Sequence, residues 1–197
     1  MRMTGHKHTT SAILAALVIF ASFAIAGELL PKGWVGGNIS DYDIGVDRKL
    51  VKEGKASAYI RSKTQTPKSF GTIVQTFSAK QYVGKRVRMS AFIKAKRIEG
   101  WTGLWMRVDG KGKENFSLSF DNMQTRPIKG TVDWKKYQIV LDVPDKSKSI
   151  SFGIVLSGSG QAWLDAFTFE VVTEDIPVTG RTRHDLPEEP LSLGFEN

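Results

Sequence analysis

The sequence contains no cysteine, which excludes disulfides, thiolate metal sites, cysteine nucleophiles and lipoprotein processing at a cysteine. Histidine is almost as scarce. His6 and His8 lie in the first ten residues, and the third, His184, lies in a polar, proline-flanked C-terminal stretch. A Ser-His-Asp arrangement or a histidine metal site inside the fold is therefore excluded. No long helical period runs through the chain, no glycine-rich phosphate loop follows a strand and opens a helix, and no nucleic-acid motif is visible despite the basic charge. Stability must come from packing.

Hydrophobic runs are scarce too, and the one that exists is at the N-terminus. Arg2 and Lys7 precede an apolar stretch from Ala12 to Ala21, which continues to the small-residue site Ala24-Ile25-Ala26. That pattern predicts a secretory signal peptide over residues 1–26, either cleaved or kept as an N-terminal anchor, because a comfortable membrane span needs about 20 apolar residues. The mature chain is then expected to be secreted or periplasmic, with the membrane reached only through an uncleaved signal. Arg2 and Lys7 leave with the segment, so 26 basic residues face 20 acidic ones and the net charge is +6. Such a surface suits anionic glycans, envelope phosphates or membrane surfaces, and is also common in proteins with no polyanionic partner. The rest suits one domain over residues 27–173 and a flexible tail or linker over 174–197.

What the chain has in abundance is strand signal. From Ala56 onward, runs rich in Val, Ile, Phe, Tyr, Trp and Thr are separated by Gly, Pro, Asp, Asn and Lys clusters. The predicted strands are Ser57 to Ser62, Gly71 to Ser78, Arg86 to Lys96, Thr102 to Asp109, Phe116 to Phe120, Trp134 to Val143, Ser149 to Leu156 and Ala162 to Val172. Their number and spacing predict an all-β fold, a two-sheet antiparallel β-sandwich of the jelly-roll kind. Val143-Pro144-Asp145 ends its strand because proline cannot continue a ladder.

Alternation assigns faces. Val87, Met89, Ala91, Ile93 and Ala95 form one apolar set, and Leu104, Met106 and Val108 form another. The second set turns Trp101, Trp105 and Arg107 to the opposite face. Rings in that position can serve as a platform for the C–H faces of sugars, with hydroxyls bonded by Asn, Gln, Asp and Arg. Equally, Trp101 and Trp105 can be covered by a loop or by the N-terminal segment, since tryptophan buries a large area. Phe116, Leu118 and Phe120 are the expected core set of the next strand, which places Asn115, Ser117 and Ser119 on the outer face beside Asp121, Asn122 and Gln124. Asp and Asn after a strand are also ordinary turn formers. Gln75 and Gln161 are further polar candidates. Asp109, Asp121 and Asp165 are the carboxylates available for acid and base chemistry, but no spacing in sequence tells whether two of them face each other.

The block from Phe70 to Val172 carries a resemblance. Its clearest segments are Gly71-Thr72-Ile73-Val74-Gln75, Trp101 to Gly110, Phe120-Asp121-Asn122-Met123-Gln124, Arg126 to Trp134 and Gly160-Gln161-Ala162-Trp163-Leu164-Asp165. In these it is similar to a group of uncharacterised bacterial proteins, many labelled AraC-type transcriptional regulators. A regulator of that class needs helix-turn-helix segments, and the all-strand pattern shows none. In fold, the block resembles the galactose-binding-like, jelly-roll carbohydrate-binding modules that accompany bacterial glycoside hydrolases. That resemblance implies an aromatic and polar concave face and a calcium ion at the sheet edge. It offers Asp165, within Trp163-Leu164-Asp165-Ala166-Phe167, as a Ca²⁺ ligand, the alternative being a structural hydrogen bond by the same carboxylate. The opening Asn-Leu-X-Phe-Glu strand that supplies further ligands in those modules has no counterpart in Gly33-Trp34-Val35-Gly36-Gly37-Asn38.

The ending, Leu191-Ser192-Leu193-Gly194-Phe195-Glu196-Asn197, resembles the opening strand of a separate extracellular module, so the chain is expected to be part of a longer multi-module protein, unless this is simply a disordered tail. The expected function is a non-catalytic binding module for a polysaccharide or cell-envelope glycan. Trp101, Trp105 and Arg107 would form the platform, with Asn115, Asp121, Asn122 and Gln124 as hydrogen-bonding groups. A protein-interaction or sensory accessory domain predicts instead an exposed apolar patch without convergent polar groups, and a glycan-active enzyme predicts two carboxylates about 5 to 10 Å apart in a cleft.

Overall fold

Period-2 apolar sets can hide themselves only by stacking one sheet face on another, and that is the architecture found. The computed structural model describes residues 30–110 and 117–182. The strands are β1 (Trp34–Gly37), β2 (Tyr42–Asp47), β3 (Ser57–Ser62), β4 (Gly71–Ser78), β5 (Lys85–Gly110), β6 (Ser117–Asp121), β7 (Ile128–Val143), β8 (Ser147–Ser157), β9 (Gln161–Val172) and β10 (Arg181–Thr182). Every pairing is antiparallel. The fold is the all-β antiparallel sandwich that the strand spacing predicts.

One strand belongs to both layers. Residues 85–96 of β5 lie between β7 and β9, and the layer continues through β3 to β2. Residues 101–110 lie between β8 and β6, and that layer continues from β8 through β4 to β1, with β10 beyond β6. The sequence predicts two strands here with a break after Lys96. The structure keeps one strand and turns it through a corner with register shifts between Ala95 and Thr102. Bulges sharpen twist and bend a strand without ending it. Arg97 takes a left-handed φ of 51° at this corner, and Gly100 passes so close to β8 that a Cβ there would sit 2.0 Å from the Ser157 carbonyl oxygen.

The expected core sets hold. Val87, Met89, Ala91, Leu104, Met106 and Val108 are fully buried, joined by Ile139, Leu141, Ile150, Ile154 and Leu156. At one end of the sandwich Phe152 stands at the centre of an edge-to-face group, with ring centroids 4.8 Å from Phe169, 5.0 Å from Phe167 and 5.2 Å from Trp34.

Strands β1 and β2 were not expected, because Gly, Asp and Asn dominate residues 33–47 and conceal any alternation. Tertiary pairing overrides that propensity, with β1 adding to β4 and β2 to β3. Tyr42 anchors the segment. Its ring is buried, and its hydroxyl lies 2.9 Å from the Ser69 carbonyl oxygen and 3.2 Å from that of Gly158. Burial pushes the phenol above its ordinary pKa. Tyr42→Phe is expected to cost about 1 kcal/mol, the net worth of one buried hydrogen bond, measured as a lower midpoint in urea at unchanged slope. An unchanged midpoint would show that the hydroxyl contributes nothing.

Candidate functional site

The outer face of the β1-β4-β8-β5-β6 layer carries a cleft, and its lining follows from register. Gly103 of β5 stands beside Val155 of β8, which stands beside Thr72 of β4. One pleat on, Trp105, Gly153 and Val74 form the next row, and Arg107 lies opposite Phe120 of β6. Trp101 and Ser157 close the upper row, while Phe70 reaches in from the turn before β4 and Asn122 from the turn after β6. These residues enclose about 380 Å³. Phe70 and Phe120 are 55% and 38% exposed, large values for phenylalanine. Trp101 and Trp105 are half-buried, and the turn after β6 lies against the strand between them, with Met123 over Gly103.

The rings are held in place. Trp105 Nε1 donates to Thr72 Oγ1 at 3.0 Å, and Thr72 Oγ1 donates in turn to the Ile154 carbonyl at 2.8 Å. Arg107 Nε pairs with the buried Asp109 carboxylate at 2.9 Å and leaves the guanidinium side chain 43% exposed at the cleft. The lining is thus mainly apolar, with a cation, an amide and a hydroxyl at its rim.

Asn122 is placed by its neighbours. Asp121 Oδ1 accepts from the Met123 backbone N–H at 2.8 Å, an Asx turn, and Met123 takes a left-handed φ of 59°. The buried Met123 side chain then packs so tightly that a Cβ on Gly103 would lie 2.9 Å from its Cβ. This folds the turn back over β5 and carries Asn122 to the cleft.

Of the residues singled out from sequence, Trp101, Trp105, Arg107 and Asn122 line this cleft together. Asn115 lies outside the described residues, as do the signal segment 1–26, Phe116, His184 and the ending 191–197. Gln124 lines a neighbouring hollow of about 270 Å³ with Thr125, Gly180 and Arg181 across Phe120 and Asn122, and Asp121 borders it. Asp121 points the other way. It stands opposite Met106 on the core side of β6, where its carboxylate accepts from Arg126 Nη1 at 3.0 Å, Arg126 Nη2 at 2.5 Å and Thr179 Oγ1 at 2.5 Å. Gln75 lies on the Ile73 side of β4, away from the cleft, and Gln161 lines a separate polar hollow.

The face assigned to β6 is therefore corrected. Leu118 is buried in the core as its apolar character suggests, yet Phe120 faces the cleft and Ser119 faces inward. The inversion is stable because the inward polar groups are satisfied: Ser119 Oγ donates to the Asp142 carbonyl at 2.8 Å, and Asp121 has the partners just described. Phe70 was missed because a turn residue carries no periodic signal; only its position immediately before the Gly71 strand hints at a place on the rim.

Asp165 does not fit calcium. Its Oδ2 accepts from the Lys52 and Glu53 backbone N–H groups at 2.8 and 3.0 Å, and its Oδ1 from the Ala166 N–H at 2.7 Å. Calcium requires six to eight oxygens, whereas these neighbours present N–H dipoles. Among the described residues no group of three or more His, Asp or Glu side chains could hold a metal. Nor do the three carboxylates named for acid-base chemistry converge: Asp109 pairs with Arg107, Asp121 faces the core side and Asp165 belongs to the opposite layer.

No family model matches the chain. Its sequence is 47% identical over 169 residues to YbfP of Bacillus subtilis (strain 168), an uncharacterised HTH-type transcriptional regulator; the match covers 84% of this chain and 57% of the relative, so the chain spans little more than half of that protein. In structure it is similar to the CBM22-1 xylan-binding domain of Paenibacillus barcinonensis Xyn10C, with a TM-score of 0.50 at 16% identity, over 74% of this chain and 89% of that one. The CBM22-1 and GH10 modules of Clostridium thermocellum xylanase 10B, complexed with xylohexaose, give 0.53 at 12% identity, over 71% and 26%. The enzymatically active domain of tailspike protein 4 from bacteriophage CBA120 gives 0.52 at 10%, over 72% and 20%. At these identities the likeness is one of fold.

Proposed function

We propose that the chain is a non-catalytic binding module for a polysaccharide or cell-envelope glycan, working outside the cytoplasm as a secreted or periplasmic domain. One observation carries this reading: two half-buried tryptophans and two exposed phenylalanines line one cleft with Arg107 and Asn122 at its edge. Sugar rings present apolar C–H faces ringed by hydroxyls, and this arrangement answers both, with aromatic carbon beneath and polar groups at the side. The size falls in the range of small-molecule sites, about 300 to 1,000 Å³. The xylan-binding names of two structural neighbours support the same class of ligand. Binding without turnover is supported by the carboxylates, which are tied to Arg107, to Arg126 and Thr179, and to backbone amides.

A second reading has its own support. The relative named as a transcriptional regulator is longer than the region it shares with this chain, and sensing a small ligand in this cleft is a role for a module of such a protein. The mainly apolar lining suits that role as well.

Affinity electrophoresis of the full chain against neutral and acidic soluble polysaccharides tests the choice. Retardation by one class of glycan, competed by its oligosaccharides, is the expected result. If no glycan retards the protein, the sensory reading takes first place.

A further inference from the structure

We propose that the protein has a second site, on the opposite layer, that binds the oxyanion of an acidic sugar unit, a carboxylate or a phosphate. The hollow lies where β3, the β5 corner and the start of β9 meet, and encloses about 270 Å³ among Arg61, Lys96, Arg97, Glu99 and Gln161. It is separate from the aromatic cleft; that the oxyanion is carried by a sugar rests on the reading of the protein as a glycan-binding module.

The frame of this hollow is fixed by main-chain hydrogen bonds. The Arg97 N–H donates to Thr131 Oγ1 at 3.0 Å and the Glu99 N–H to the Ser159 carbonyl at 3.1 Å. The Ser62 N–H donates to the Gly160 carbonyl at 2.9 Å, while the Gly160 N–H donates back to Ser62 Oγ at 3.0 Å. Two of the charged groups are already engaged. Arg61 pairs with Asp43 at 2.8 Å, and the Glu99 carboxylate accepts from Ser159 Oγ at 3.0 Å. Lys96 and Arg97 are exposed, and among the described residues neither side chain has an acidic partner.

The backbone makes Arg97 informative. Its φ of 51° is a conformation glycine or asparagine would adopt with less strain. Holding an arginine there sets the base of a guanidinium at a rigid corner rather than on a loose loop, and strained non-glycine residues cluster at ligand sites. A guanidinium and an ammonium on adjacent residues suit an oxyanion, which can accept from both. The Gln161 amide remains for a sugar hydroxyl.

The same strain supplies a clean test, because Arg97→Gly removes the guanidinium while relieving the backbone. The full chain would be titrated calorimetrically with trigalacturonic acid, glucose 6-phosphate and neutral xylotriose. At least one of the two acidic probes is expected to bind, and which one binds identifies the oxyanion. Arg97→Gly and Lys96→Gln should each weaken that binding by about tenfold, the scale of one charge-assisted contact. Arg97→Gly should melt no lower than the parent, and Lys80→Gln, a charge-matched change at an exposed position outside both sites, should leave acidic-probe binding unchanged. The proposal is overturned if neither acidic probe binds, if Arg97→Gly binds them as the parent does, or if Lys80→Gln weakens the binding as much as Lys96→Gln.

Discussion

Trp105→Ala is expected to weaken binding of the cognate glycan by ten- to a hundredfold, about 1.4 to 2.8 kcal/mol, while the protein stays folded. Trp105 sits in the middle of the cleft floor, between the β8 row of Val155 and Gly153 and the Arg107–Phe120 pair. Its indole N–H is already donated to Thr72, so its contribution to a ligand is its ring face rather than a hydrogen bond. Trp105→Phe keeps part of that face and should lose only a fraction of the affinity. Trp105→Ala also removes packing from a half-buried ring, which is expected to lower stability by no more than about 2 kcal/mol, so circular dichroism at the titration temperature should match the parent. Calorimetric titration of the three proteins gives the order parent, Phe, Ala. If the alanine variant binds with parental affinity, the glycan does not lie on this face and the cleft loses its proposed role.

How far the sequence discloses this arrangement depends on how much of each signal is local. β5, β8 and β9 declare themselves because both layers need uninterrupted period-2 apolar sets, and the same alternation turns Trp101, Trp105 and Arg107 outward together. The continuity of β5 through Arg97 and Gly100 is hidden, since a bulged corner and a loop have the same composition in one dimension. β1 and β2 are hidden because they are edge strands whose stability comes from β4 and β3. β6 shows the sharpest failure. Its five residues have too little length to fix a phase, and the sign of that phase is decided by Arg126, in the turn that follows, and by Thr179, 58 residues on, which together let Asp121 turn inward. The two phenylalanines of the cleft were lost for these reasons, Phe120 by the phase and Phe70 by lying in a turn.

Asp121→Ala is expected to destabilise the fold by about 3 kcal/mol, the lower end of the cost of breaking a buried ion pair, taken low because the Arg126 side chain is 35% exposed and keeps some hydration. The carboxylate joins three parts of the chain. Oδ1 holds the Met123 N–H and Arg126 Nη1, and Oδ2 holds Arg126 Nη2 and Thr179 Oγ1. Thr179 also accepts from the Val140 N–H through its hydroxyl at 2.9 Å, and its own N–H donates to the Val140 carbonyl at 2.9 Å. Removing Asp121 therefore loosens the turn that presents Asn122, the end of β7 and the segment leading to β10 at once. A loss of this size corresponds to a melting temperature lower by roughly 6 to 12 °C for a domain of this length. Asp121→Asn keeps the shape but replaces one acceptor oxygen with an amide, so it should fall between the alanine variant and the parent. A direct ligand residue would behave in the opposite way, with affinity lost and the melting temperature held. Scanning calorimetry beside glycan titration below the transition separates the two: the variants should melt early yet keep most of their affinity, whereas parental melting with abolished binding would return Asp121 to the ligand's side of the sheet.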